Sequence, residues 1–429
     1  MIKTIAENKK LYLLWIISVV LICACIVTST LLSAVAFVIL IAAALFLAPN
    51  EALVFLIALL PFANIFKLST NSMSLFTVAE IAMVLILIFK IKKIRTSFFL
   101  ALMALAVYVI LFSLENFNAL LIVKFLFGFL LIYFALQTLG TKDAKNITYL
   151  FAVGAIIMMI LTLNQNYLEY VLPYYEDVNF LVLSGLGTDM IRASGFFGDP
   201  NYCSVFLILT LAMLCTLYYH KQIKTEFWLF FVPIAALGLF TYSKSYFLAL
   251  CALILFLIVF VLFPKHKGWA IISMIFMAIL LFLILDGRID AVNLMLERFK
   301  EKDLTTGRFD INRVYLKYIW DNPMVMFVGD GIGVNVIPSR TYAVHNLYIE
   351  SIFKLGVIGC GLYLLVLFLG MGDFKFTEKK VADFLPALFM IVMYFFLAGI
   401  TSYELAFYIA IAFLTLKSVN ATVESTDTK

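Results

Sequence analysis

ALLIVKFLFGFLLIYFALQTL, residues Ala119 to Leu139, holds a single charge, Lys124, and no proline. About 20 mostly apolar residues cross roughly 30 Å of hydrocarbon as a helix. Backbone polar groups inside lipid must be satisfied within the segment, so such a run is read as a helix. Comparable runs precede it at 11–28, 31–48, 51–66, 74–89 and 97–114. Others follow at 147–163, 200–219, 227–240, 245–263, 269–285, 345–370, 384–400 and 402–416. Tight joins near Thr30, Asn50 and Thr401 allow some of these to be merged or re-entrant, which leaves roughly twelve to fourteen spans. The expected fold is all-α: one integral membrane domain, residues 1–429, built as a polytopic transmembrane helix bundle.

Composition agrees. Hydrophobic residues make up 65% of the 429 and charged residues 13%, with a mean hydropathy of +1.08, a balance that excludes a soluble globule. More than half of the 31 lysines and arginines fall in segments such as Lys90 to Arg95, Lys142 to Lys145, Lys221 to Lys224 and Lys375 to Lys380. The positive-inside rule then makes these cytoplasmic, together with both termini. The net charge of +5 is accounted for by topology, so no nucleic-acid partner is implied. Two long hydrophilic stretches, 164–199 and 286–344, face outward in this scheme. The second is the large external loop, expected to contain surface helices and the chemistry.

All six cysteines lie in predicted spans, and none forms a CxxC pair. Neither a disulfide framework nor a cysteine metal site is suggested. No Walker loop, dinucleotide glycine pattern or HExxH is found. No cofactor is implied. A transporter would carry paired midplane charges or matching broken helices in two halves. No internal repeat of that kind is evident, and the cations that are not cytoplasmic gather in the external loops rather than at the midplane.

The loop 164–199 contains one cation, Arg192, opening the string Arg192-Ala193-Ser194-Gly195-Phe196-Phe197-Gly198-Asp199-Pro200-Asn201. Asp199 suits a helix N-cap and Pro200 the first helical position. A plain reading is a surface arginine beside a capped helix; the other is a planar cation holding an anion at the helix N-terminus. The loop 286–344 balances eight cations with eight acids. A helix at the membrane surface is expected from Phe309 to Trp320, with Phe309, Leu316 and Trp320 near one side and Arg313 with Lys317 on another. Arg308 falls in its first turn, and Gly329-Asp330-Gly331-Ile332-Gly333 reads as a flexible return.

His345 begins the next span. Helical spacing puts His345, Ile352, Gly356 and Gly359 on one face, and small residues there permit close packing. His220 and His266 fall in basic cytoplasmic loops, where a histidine is solvated. Lys124, near the outer end of its span, and Lys244, in Thr241-Tyr242-Ser243-Lys244-Ser245, either snorkel or reach an external cavity. Glu350 and Lys354 make an i, i+4 pair that reads as local neutralisation, with Lys354 pointing away from His345.

The blocks Arg192 to Asn201, Tyr242 to Ser245, Thr305 to Gly333 and His345 to Gly359 resemble, in order, those of the O-antigen ligase and Wzy-type polymerase superfamily. The TGR at Thr306 to Arg308, followed by the HN at His345, carries most of the likeness. The resemblance implies glycan transfer from undecaprenyl diphosphate on the outer face of a bacterial cell membrane. Capsular or exopolysaccharide synthesis is the expected context. Its histidine falls on His345 and its cations on Arg192, Lys244 and Arg308, where many members have arginine at 244; Lys124 is added on position alone. Implied partners are a lipid-linked oligosaccharide donor and acceptor, the bilayer, and a chain-length regulator protein. A base tuned near neutrality and fixed cations suit displacement of a diphosphate. The blocks hold no Asp or Glu cluster suited to a metal, and one displacement opposite the leaving group is the simplest course, so metal-independent, inverting transfer is expected. Polymerase and ligase stay open.

Overall fold

The computed structural model describes residues 8–28, 45–66, 75–90, 94–163, 180–182, 189–262, 307–338, 343–371, 380–400 and 402–418, with positions 38, 42 and 271 between them. Most of the expected spans at 31–48 and 269–285, together with residues 286–306, lie outside the described residues.

Long apolar runs become helices: α1 (Lys9–Thr28), α2 (Pro49–Ala58), α3 (Leu75–Lys90), α4 (Thr96–Phe112), α5 (Ala119–Thr138) and α6 (Thr141–Thr162). A three-residue ladder, β1 (Phe180–Val182) with β2 (Asp189–Ile191), precedes α7 (Pro200–Tyr219), α8 (Thr225–Leu239) and α9 (Lys244–Phe256). Then come α10 (Arg308–Asp321), α11 (Pro323–Val328), α12 (Leu347–Met371), α13 (Leu385–Tyr394) and α14 (Tyr403–Ser418). Polar residues set the starts. The Asn118 carbonyl oxygen accepts from the Leu121 amide at 3.1 Å, and the Asp199 carboxylate accepts from the Asn201 amide at 2.6 Å with Pro200 behind it. Both satisfy amides that a helix cannot satisfy itself.

Among the described residues, five helices are long and apolar enough to cross a membrane: α5, α6, α7, α9 continued to Leu262, and α12. The protein is a multi-pass helical membrane bundle. α7 is its central post, with 83% of its span window enclosed, whereas α9 and α12 stand at 39% and turn one side outward. Small residues permit close contacts, as lipid supplies no hydrophobic drive between helices. A Cβ on Gly128 of α5 would sit 2.9 Å from the Ala406 Cβ of α14.

Several runs expected as single helices are broken. The run 51–66 passes from α2 into a 3-10 turn at Leu60–Phe66 containing Pro61, whose ring removes an amide donor. The run 384–400 stops being helical after Tyr394, and residues 395–400 form a turn. α12 is kinked at Gly356, whose φ of 63° and ψ of 177° leave the helical region. The common helical face expected through Gly356 is therefore interrupted, and His345 lies before the helix.

The kink frees carbonyls that lipid cannot satisfy. The Asp330 amide donates to the Phe353 carbonyl at 2.8 Å and the Gly331 amide to that of Lys354 at 3.1 Å. The Tyr108 hydroxyl donates to Leu355 at 2.8 Å. A Cβ on Gly356 would collide with the Phe327 carbonyl oxygen, and one on Gly329 with the Lys354 carbonyl oxygen. The glycine string 329–333 is thus a docked strap, not the flexible return expected from sequence; only backbone without side chains approaches this closely. His220 also departs from expectation. Its Nε2 lies 2.6 Å from the Asp383 carboxylate, and both side chains are nearly buried.

Candidate functional site

Two clusters meet at the N-terminus of α7. In the first, the backbone of Ala193 donates to the Phe240 carbonyl at 2.9 Å, which draws the Arg192 block onto the segment between α8 and α9. Arg192 is buried rather than on the surface. Its Nε donates to the Thr241 carbonyl at 2.9 Å and its Nη2 to Asn201 Oδ1 at 3.4 Å. Asn201 Oδ1 also accepts from the Ser243 hydroxyl at 3.2 Å, and Ser243 meets the Ser245 hydroxyl at 2.9 Å. Lys244 is the first residue of α9 in this same block. The Arg192 and Tyr242 to Ser245 strings, far apart in sequence, form one polar web.

The second cluster gathers around the turn 395–400. Asn346 caps α12, its Oδ1 accepting from the amides of Tyr348 and Ile349, while its Nδ2 donates to the Phe395 carbonyl at 3.0 Å. Arg308, first in α10 after Gly307 at a φ of 75°, donates from Nη1 to the Phe396 carbonyl at 3.1 Å. Tyr202 of α7 donates to the Ala398 carbonyl at 2.7 Å. The Glu350 carboxylate accepts from the amides of Gly399 and Ile400 and pairs at 2.8 Å with Lys354. Four side chains from three helices and a cap thereby fix one short turn. Lys354 also donates to Asn335 Oδ1 at 3.2 Å. The buried pair does more than neutralise itself, because Glu350 ties α12 to the turn.

His345 stands at the edge of this cluster with an open face. The packing around the rest of the ring pushes its pKa below the ordinary histidine value, and the Arg308 charge adds to that, with Asp199 and Glu350 opposing. A lowered pKa leaves the imidazole neutral near pH 7, able to take a proton. Burial also lowers the pKa of Arg308, with Asp199 the leading opposing influence, yet a guanidinium remains charged. Arg308, His345 and Asp199 thus share one electrostatic neighbourhood, and Asp199, Asn201 and Tyr202 join it to the Arg192 web. A neutral base with an open face, next to fixed cations, is equipped to deprotonate a hydroxyl while an anion departs.

Lys124 is placed elsewhere. It lies in α5 within electrostatic reach of Glu80 of α3 and lines a small open pocket with Phe125, Phe129, Tyr363, Ile400 and Ser402. Ile400 connects this pocket to the turn that Glu350 holds. Asn346 enters the sequence reading only as the second residue of the HN pair, and Tyr202 and the turn 395–400 are not singled out there. The only hint was the tight join near Thr401, since the partners sit as far as 196 positions apart.

No curated protein and no solved structure matches the chain. The stretch that contains Lys244, Arg308, His345 and Glu350, residues 229–364, matches the family model described as O-antigen ligase. That match, over about a third of the chain, makes residues 229–364 similar to the O-antigen ligase family and supports a relation to the O-antigen ligase and Wzy-type superfamily.

Proposed function

We propose that the protein is an inverting, metal-independent glycosyltransferase that polymerises undecaprenyl-diphosphate-linked oligosaccharide repeat units into capsular or exopolysaccharide on the outer face of the membrane. The observation that carries the reading is the placement of an open-faced His345 within electrostatic reach of the Arg308 guanidinium and of Asp199, with His345 and Arg308 both inside the family segment.

In this reading an acceptor hydroxyl is held against His345, which takes its proton as the oxygen attacks the anomeric carbon. The bond from that carbon to the diphosphate oxygen breaks, and its electron pair leaves with the diphosphate. Arg308 is the first cation to meet that charge, with Arg192 and Lys244 behind it and Lys124 at the adjoining pocket. Attack opposite the leaving group inverts the anomeric centre in one displacement. Fixed cations supply the charge stabilisation that a metal ion gives elsewhere, which supports metal independence.

Glycan analysis after gene deletion tests the assignment. Accumulation of single lipid-linked repeats supports polymerisation, whereas long unattached chains support transfer of finished glycan by a ligase. In a purified assay, His345→Ala is expected to slow transfer by about 10² to 10⁴-fold while donor lipid still binds. Normal turnover in that variant would remove His345 as base, and loss of wild-type activity to a chelator would remove the metal-free course.

A further inference from the structure

α10 has two apolar sides. One, formed by Tyr315 and Ile319 with the polar Asn312, is buried in the protein, and the Tyr315 ring lies 5.2 Å edge-on from Phe353 of α12. The other carries Phe309, Leu316 and Trp320, which a step of about 100° per residue places within about 40° of one another. These are open, Phe309 to 59% and Trp320 to 78% of their surface, and the strip continues into α11 with Met324 at 70% and Phe327 at 50%. Scattered exposed apolar residues need no explanation, but five large ones in a row do.

Position and charge indicate what covers them. The Phe327 backbone packs on Gly356, directly before Val357 and Ile358, which are exposed on α12. Leu111 and Phe112 are exposed at the end of α4, where the Phe112 carbonyl borders Gly331 of the docked strap. α12 is one of the membrane-crossing helices, so its outward residues face acyl chains, and the strip extends that surface beyond the kink. Arg313 and Lys317, both exposed, flank the strip on α10. A tryptophan and apolar side chains bordered by cations are the composition of a helix lying in the headgroup boundary.

We propose that Phe309, Leu316, Trp320, Met324 and Phe327 form a lipid-docking surface that seats α10 and α11 in the headgroup boundary of the bilayer, with Arg313 and Lys317 at the level of the lipid phosphates. Arg308 is the first residue of the docked helix, so the same contact fixes the height of its guanidinium above the acyl region. That consequence rests on the proposed transfer reaction; the docking itself does not.

The test uses the full chain reconstituted in phosphatidylcholine and phosphatidylglycerol vesicles. Subtracting the emission of Trp320→Phe from that of the parent isolates Trp320 without disturbing the other tryptophans. Docking is expected to give blue-shifted Trp320 emission, largely lost when lipids brominated near the headgroup replace ordinary ones, and shielded from acrylamide. Red-shifted emission quenched by acrylamide and untouched by bromolipid would overturn the proposal. So would blue-shifted emission insensitive to bromolipid, which would mean that protein rather than lipid covers the strip. A normal readout in an inactive protein would separate failure of the transfer reading from failure of the docking.

Discussion

Replacing Arg308 by glutamine removes one positive charge while keeping a donor for the Phe396 carbonyl, and under the proposed transfer it has two separable consequences. The first is a loss of stabilisation for the departing diphosphate. A hydrogen bond to a charged group contributes about 1.5 to 3 kcal/mol, and each 1.36 kcal/mol is tenfold in rate, so transfer should slow roughly ten- to a hundredfold. The second is a shift in pH dependence. Arg308 is, after burial, the main influence lowering the pKa of His345. Its positive charge disfavours the imidazolium, so removing it raises that pKa. A reaction that needs the neutral imidazole then reaches its plateau at higher pH. Arg308→Lys should keep the acid limb near that of the parent and lose only part of the rate, since lysine keeps the charge but not the planar fork. The assay is transfer from a purified lipid-linked oligosaccharide in vesicles, with kcat/KM measured across the acid range at fixed ionic strength. An unmoved acid limb in Arg308→Gln would refute the electrostatic coupling to His345, and an unchanged plateau would refute the role at the leaving group.

Glu350→Ala strips a buried lysine of its partner and frees the amides of Gly399 and Ile400. Removing one member of such a pair costs about 3 to 5 kcal/mol, so Tm in detergent should fall clearly, and an unaltered melt would show the turn to be held otherwise. Gly356→Ala forces a side chain into left-handed backbone facing the Phe327 carbonyl. A penalty of at least about 1 to 2 kcal/mol is expected, and Gly361→Ala, which meets nothing within 4 Å, is the control that should melt like the parent. Orientation is checked with Asp303→Cys, which should react with an impermeant thiol reagent in intact cells, while Lys221→Cys should not; the reverse pattern would invert the topology. Tyr108→Phe leaves the Leu355 and Val328 carbonyls without their hydroxyl donor and should lower stability by about 1 to 3 kcal/mol, read in the same melt.

The bundle was legible in the sequence because the bilayer imposes a length rule on each segment separately. Runs such as 119–139 and 200–219 become helices whatever they pack against, and Asp199-Pro200 starts α7 for reasons contained in those two residues. The motif cations and His345 draw attention for a related reason: charged and titratable groups stand out against a chain that is 65% hydrophobic. What the sequence could not supply was the partner of each. Arg192 also allowed a plain reading as a surface residue, and only the approach of residues 241–243 makes it buried. Glu350 read as half of a local pair, yet its carboxylate reaches amides 49 and 50 positions away. The glycines at 329 and 356 read as flexibility and as helix packing, whereas they mark one contact between two backbones. Helix formation in lipid is decided by hydrogen bonds four residues apart, which a sequence displays. The turn 395–400, the kink at Gly356 and the neighbourhood of His345 depend on polar groups that lipid will not solvate, and these find partners only when distant segments are packed together.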